Sequence, residues 1–126
     1  YGAVVVRDGA VLATCVDLTK GDHDPTAHAE IGAIRGACGL LGTLSLAGAT
    51  LVSSCEPCDW CRAVAAGAGI TRIVYAAPRA SVPDLGEPSA PPALPDEHVV
   101  HVPTDGAAEP FRAYLAWRER HEPPAA

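Results

Sequence analysis

The sequence predicts an α/β fold: a three-layer α/β/α sandwich with helices on both faces of a central, mixed, five-stranded sheet. Three observations carry this expectation. Val-rich runs flank an Asp8-Gly9 pair, the local signal of an antiparallel hairpin. Apolar residues recur at helical spacing after Asp24. Residues 50 to 77 then read as strand, helix, strand, the crossover that joins parallel strands. Hydrophobic residues make up 48% of 126, enough to bury a core as a single domain over 1–126 without disulfides.

In order, Ala3 to Val6 and Val11 to Thr14 form the hairpin. Asp24-Pro25-Thr26 opens a helix over 27 to 39, with Ala29, Ile31, Ala33, Ile34, Ala37 and Leu41 on its apolar face. Thr50 to Ser53 is a strand, Cys58 to Ala68 a helix closed by glycines, and Thr71 to Ala77 a strand rich in β-formers. Pro78 to Asp96 holds six prolines and no period, and reads as an irregular connection that covers a pocket or stays mobile. His98 to Val102 is expected to be a fifth strand. Pro110 to Arg120 is expected to be a last helix with Phe111, Leu115 and Trp117 toward the sheet, ended by Pro123-Pro124.

Nine Lys and Arg stand against fifteen Asp and Glu, a formal charge of -6. That balance argues against a protein that tracks nucleic-acid phosphates and favours a small ligand. Five cysteines are an odd number, and Cys55, Cys58 and Cys61 sit too close together for the disulfide framework of a small secreted protein, so they read as thiols in a reducing compartment. No run of eighteen apolar residues and no basic-then-apolar leader is present, which points to the cytoplasm and away from a membrane.

The chemistry-bearing residues cluster in two motifs. His28-Ala29-Glu30 lies at the start of the first helix, and Pro57-Cys58-Asp59-Trp60-Cys61 at the start of the second. One imidazole and two thiolates form a three-ligand zinc set that keeps a fourth position for water, as catalytic zinc requires. Helix N-termini favour thiolate over thiol at Cys58 and Cys61. Glu30, two residues past His28, is placed to move the proton of the metal-activated water without ligating the metal. His-x-Glu followed by Pro-Cys-x-x-Cys is the zinc-deaminase signature. Two other readings stay open: a closed structural site using Cys55 as a fourth ligand, or a redox pair of Cys58 and Cys61. Neither gives Glu30 a role. Cys55, Cys15 and Cys38 also read as small buried hydrophobes, and Trp60 either stacks on a flat substrate or packs in the core.

On these residues, together with Tyr1 to Val6, Asp24 to Glu30, Ser54-Cys55-Glu56-Pro57-Cys58 and Pro110 to Ala113, the chain resembles the cytidine and nucleotide deaminase superfamily. It is most similar there to bacterial guanine deaminases, with tRNA adenosine deaminases next. The resemblance implies one zinc ion on His28, Cys58 and Cys61, proton transfer by Glu30, and a substrate ring carbonyl met by the backbone N–H of Ala29. It also implies a homodimer in which C-terminal segments exchange, and an N-terminal helix preceding the first strand. Two departures bear on substrate. The family usually has Asn where this chain has Asp17, and an ionised carboxylate only accepts hydrogen bonds, so a ring offering N–H or amino groups is expected there. Where guanine deaminases carry a further acid, this chain reads Asp84-Leu85-Gly86-Glu87-Pro88, which leaves Asp84 or Glu87 as the second acid. The expected reaction is hydrolytic deamination of a free nucleobase or related aminoheterocycle (a guanine-like purine, an aminopyrimidine or an amino-triazine). Editing of tRNA adenosine and a non-catalytic zinc-stabilised binding module are the alternatives.

Overall fold

The computed structural model describes residues 1–122. It contains β1 (Gly2–Arg7), β2 (Ala10–Val16), α1 (Ala29–Leu41), β3 (Thr50–Cys55), α2 (Asp59–Gly67), β4 (Arg72–Ala77) and α3 (Glu109–His121), with single 3-10 turns at Arg79–Ser81 and Asp96–His98. The chain divides into two compact units, Tyr1–Pro91 and Pro92–Ala126.

The first unit is built on one sheet in the order β2-β1-β3-β4. β1 runs antiparallel to β2 and β3, and β3 runs parallel to β4 across the α2 crossover, so the sheet is mixed as expected. Asp8 and Gly9 both take positive φ in the β1–β2 turn, the backbone that a two-residue hairpin requires. Alternation then sets the faces. Ala3 and Val5 of β1 and Leu51 of β3 point inward onto Ala33, Ile34 and Ala37 of α1 and Ala65 of α2. Val5 and Leu51 are fully buried, each contributing roughly 1.5–3 kcal/mol of apolar transfer. Of the three layers expected, this unit holds the sheet and one helical layer formed by α1 and α2.

α1 lies close to β2 because it presents glycine there. A Cβ on Gly32 would come 2.4 Å from Cys15 Sγ, and one on Gly36 would come 3.2 Å from Ala13 Cβ. α1 starts two residues later than expected because Asp24 caps a local turn instead of the helix: its Oδ1 accepts from the backbone N–H and the hydroxyl of Thr26, at 2.8 and 2.7 Å. His28 takes the helix N-cap.

Two expectations are corrected among the described residues. The sheet has four strands, not five: residues 99–104 have no regular structure, and Val99, Val100 and Val102 are 65–78% exposed. β-branched composition alone makes no strand without a ladder partner and a buried face. The last helix forms over Glu109–His121, but Phe111, Leu115 and Trp117 are 72, 47 and 45% exposed instead of buried. Within the second unit, α3 is supported by its own surface pairs, with the Trp117 ring stacked on His121 at 4.7 Å. The Pro123-Pro124 stop lies outside the described residues.

Candidate active site

Two helix starts and one strand end build the site. His28 is the N-cap of α1 and Cys58 the N-cap of α2, both in extended backbone conformation, and neither side chain bonds back to cap its own helix. Both are therefore free to turn toward a common point, and Cys61 joins them from the first turn of α2. His28 Nδ1 stands 3.6 Å from Cys58 Sγ and 3.4 Å from Cys61 Sγ, with the two sulfurs 3.7 Å apart. A tetrahedral zinc with ordinary Zn–S and Zn–N bonds sets its ligand atoms about 3.5–3.8 Å apart. The residues present therefore fit that ion without rearrangement.

All three donors are buried. Burial, then the neighbouring Glu30 carboxylate, push the Cys61 thiol far above its usual range. A dication among the three donors reverses that preference, because the thiolate is the form that binds metal. Among the described residues, no other His, Cys, Asp or Glu joins the group. Cys55 is buried but stays outside it, so the set has three protein ligands, the composition of an open catalytic site.

Glu30 follows on the first turn of α1 and is 7% exposed. Its Oε1 accepts a 3.0 Å hydrogen bond from Ser53 Oγ, and its Oε2 lies 3.6 Å from Cys61 Sγ. Ser53 fixes one oxygen and leaves the other beside the ligands. The sequence reading missed Ser53, although the signal was available: it is the polar residue on the inward face of β3, between Leu51 and Cys55, where alternation calls for an apolar one.

His28, Glu30 and Cys58 line a cavity of about 270 Å³ together with Asp17, Cys55, Glu56, Arg79 and the loop Val82 to Ser89 apart from Gly86. Asp17, singled out from sequence, is at its wall. Its Oδ1 accepts from the Thr19 N–H at 3.0 Å and the Thr19 hydroxyl at 2.6 Å. Burial raises its pKa, but those two hydrogen bonds outweigh burial and hold the carboxyl below its ordinary range. Glu56 is tied on both oxygens, to Arg62 Nη2 at 3.2 Å and to the Arg79 N–H at 3.0 Å. Asp84 and Glu87 both line the cavity.

Ala29 and Trp60 fall outside the cavity lining. Trp60 packs with Ile31, Cys58 and Cys61, its ring 5.6 Å from the His28 ring and tilted by 57°. His28 Nε2 is buried without a hydrogen-bond partner among the described residues. A ligating imidazole is ordinarily oriented through that second nitrogen. Here the Trp60 ring packs beside it.

The model of the cytidine and deoxycytidylate deaminase zinc-binding region matches residues 1–77. The chain belongs to this family. The matched span contains His28, Glu30, Cys58 and Cys61, and the buried trio of this deaminase-family chain is consistent with one zinc site. Guanine deaminase of Bacillus subtilis (strain 168) is 41% identical over 86 residues, 68% of this chain and 55% of that protein. Its solved structure superposes with a TM-score of 0.75 at 32% identity, covering 98% of this chain and 82% of that one. A tRNA-specific adenosine deaminase of Agrobacterium fabrum is 47% identical over 76 residues, 60% of this chain and 50% of that protein. The solved complex of NE0047 with 2,6-diaminopurine has a TM-score of 0.59 at 30% identity, covering 61% of this chain and 44% of that one. The chain spans about half the length of the curated relatives named here. The family resemblance read from the two motifs is borne out, as is zinc. No helix among the described residues is long and apolar enough to cross a membrane.

Proposed function

We propose that this protein is a zinc-dependent hydrolytic deaminase of a free nucleobase or related aminoheterocycle. The observation that carries the reading is Glu30, buried, anchored by Ser53 through one oxygen and set beside the metal ligands through the other. That is the arrangement of a proton carrier, and neither a structural zinc site nor a redox pair uses it.

Zinc held by His28, Cys58 and Cys61 would supply the Lewis acidity that makes water a nucleophile at neutral pH. Glu30 takes a proton from the attacking water through Oε2, while Ser53 keeps the carboxylate from swinging away. As oxygen adds to the amine-bearing ring carbon, Glu30 gives that proton to the ring nitrogen, then takes the second proton from the added hydroxyl and passes it to the amine as the carbon–amine bond breaks and the ring C=O forms. Water and the aminoheterocycle become an oxo-heterocycle and ammonia. Trp60 serves this chemistry by fixing the His28 ring, and Asp17 offers the ring an acceptor. The Ala29 backbone N–H as donor to a ring carbonyl belongs to the same proposal on the family resemblance.

Size and charge favour a free base. A cavity near 270 Å³ is just under the roughly 300–1,000 Å³ of sites for drug-sized ligands, enough for one ring system. Asp17, Glu30, Glu56, Asp84 and Glu87 line it against one arginine, Arg79, a setting that repels phosphate and welcomes N–H donors. Editing of tRNA is the second reading, favoured by the 47% identity to the Agrobacterium enzyme. It calls for a basic path to the site, which a formal charge of -6 does not suggest. The homodimer implied by the resemblance belongs to this proposal, and sedimentation of the zinc-loaded protein tests it.

The deciding assay is ammonia release by the zinc-loaded protein from guanine, 8-oxoguanine, isocytosine, cytosine, adenine and ammeline, their nucleosides, and a tRNA anticodon stem-loop. Turnover of one free base supports the proposal. Turnover of the stem-loop alone overturns it in favour of tRNA editing.

A further inference from the structure

The loop Val82–Ser89 forms one wall of the cavity, yet none of its residues is buried and none lies in a helix or strand. An irregular, solvent-washed segment of this kind opens at low free energy unless something ties it down. Inside the loop there is one side-chain bond, from the Gly86 N–H to Asp84 Oδ1 at 2.8 Å. The side-chain ties to the rest of the unit converge on two consecutive residues between β2 and α1. Lys20 Nζ donates to the Leu85 carbonyl at 2.8 Å and pairs with Glu87 Oε1 at 3.1 Å. Glu87 Oε2 lies against the Thr19 hydroxyl. Thr19 is itself 5% exposed and is the same residue whose N–H and hydroxyl hold Asp17.

We propose that Lys20 and Glu87 form a clasp that holds the loop Val82–Ser89 closed as the cavity wall and so sets how tightly the substrate is bound. The inference rests on the reading of this cavity as the substrate site. Lys20 does not line the cavity; it is a positioning residue that acts through Glu87 and the Leu85 carbonyl. An exposed ion pair standing alone would count for little. Here the ammonium also donates to a backbone carbonyl, and the partner carboxylate sets its second oxygen against a buried residue, Thr19. Thr19, whose N–H holds Asp17 Oδ1, is also the neighbour of Glu87 Oε2, so the loop and that acceptor share one contact residue. Gating of this kind moves substrate affinity more than the chemical step, because Glu30 and Ser53 lie on α1 and β3, away from the loop.

The test compares zinc-loaded wild type with Lys20→Met, which keeps the length and removes the charge and donors, and Lys20→Arg, which keeps both. Lys20 is well exposed, so these variants fold. Two quantities are read: backbone hydrogen exchange over 82–89, and KM against kcat on the ring turned over. Lys20→Met is expected to speed exchange over 82–89 and raise KM by about three- to tenfold, in line with one exposed pair and one hydrogen bond, with kcat within about twofold. Lys20→Arg is expected to restore both. Unchanged exchange in Lys20→Met, or faster exchange with an unmoved KM, overturns the clasp. Should the wild type turn over no ring, the proposed function fails on its own, and the exchange comparison still decides whether Lys20 holds the loop.

Discussion

The two walls of the cavity are held by different physics. The wall that carries His28, Glu30 and Cys58 belongs to α1 and the start of α2, and every group that would touch the reacting atoms is buried and rooted in the packed face of the sheet. The facing wall, Val82–Ser89, is exposed and attached through a lysine, a threonine hydroxyl and a carboxylate. Buried groups in a close-packed interior keep their geometry, and exposed polar ties hold by small margins. Under the proposed function, the reaction falls to the rigid wall and the choice of ring to the adjustable one. The same fold can then serve different rings by changing the loop without disturbing the zinc corner.

Substitutions on the rigid wall should cost the most. Glu30→Gln is expected to lower kcat by about 10²–10⁴-fold, the usual span for a general acid–base group, with zinc content unchanged by elemental analysis. Turnover within tenfold of wild type would remove Glu30 from the mechanism. Ser53→Ala leaves the carboxylate in place but unanchored, and a loss of roughly 10–100-fold in kcat with little change in KM is expected, as for other groups that orient a metal-site residue. A change in KM alone would mean that Ser53 does not act through Glu30.

At the seam between the walls, Asp17→Asn should alter selectivity more than rate. Its carboxyl is held below the ordinary value of 3.8, so it is ionised throughout the working range. It contributes stability above that value and loses it only as the pH falls through the lowered folded-state pKa. The pH profile above about pH 5 should therefore be superimposable for wild type and Asp17→Asn. The ratio of kcat/KM between a ring presenting N–H donors and one presenting only acceptors should fall about tenfold or more. An unchanged ratio across the panel would show that Asp17 does not read the ring. The smallest expected effect on catalysis lies in the scaffold. Gly32→Ala places a methyl 2.4 Å from Cys15 Sγ and should destabilise the fold by about 1–3 kcal/mol in chemical denaturation. Cys15→Ala in the same chain should recover part of it. Full stability in Gly32→Ala would mean that α1 and β2 are not packed at their limit.

How much of this was legible in the sequence follows the same division. The hairpin, α1, the crossover and the metal trio are encoded by local signals: a turn dipeptide with positive φ, a 3.6-residue period, and ligands at the starts of two helices. Glu30 was legible because its role depends on a two-residue spacing to His28. Ser53 was not singled out, because its role is set by α1 crossing β3, a tertiary fact of which the sequence shows only one misplaced polar residue. Lys20 and Thr19 meet Leu85 and Glu87 across 65 to 68 residues, and no local pattern announces such a pairing. The fifth strand failed in the opposite direction. His98 to Val102 has the composition of a strand, but a strand is made by its neighbours. Trp60 reads from the sequence as a stacking platform or a core residue, and the fold packs it with Ile31, Cys58 and Cys61 beside the His28 ring.

The central claim is an open zinc site with three protein ligands and Glu30 beside it. X-ray absorption at the zinc edge of the loaded protein tests it most directly. Two sulfur scatterers at about 2.3 Å and two light scatterers near 2.0–2.1 Å are expected, one of them imidazole and one exchangeable. Three sulfurs and one imidazole would place Cys55 on the metal, close the site and contradict the catalytic reading.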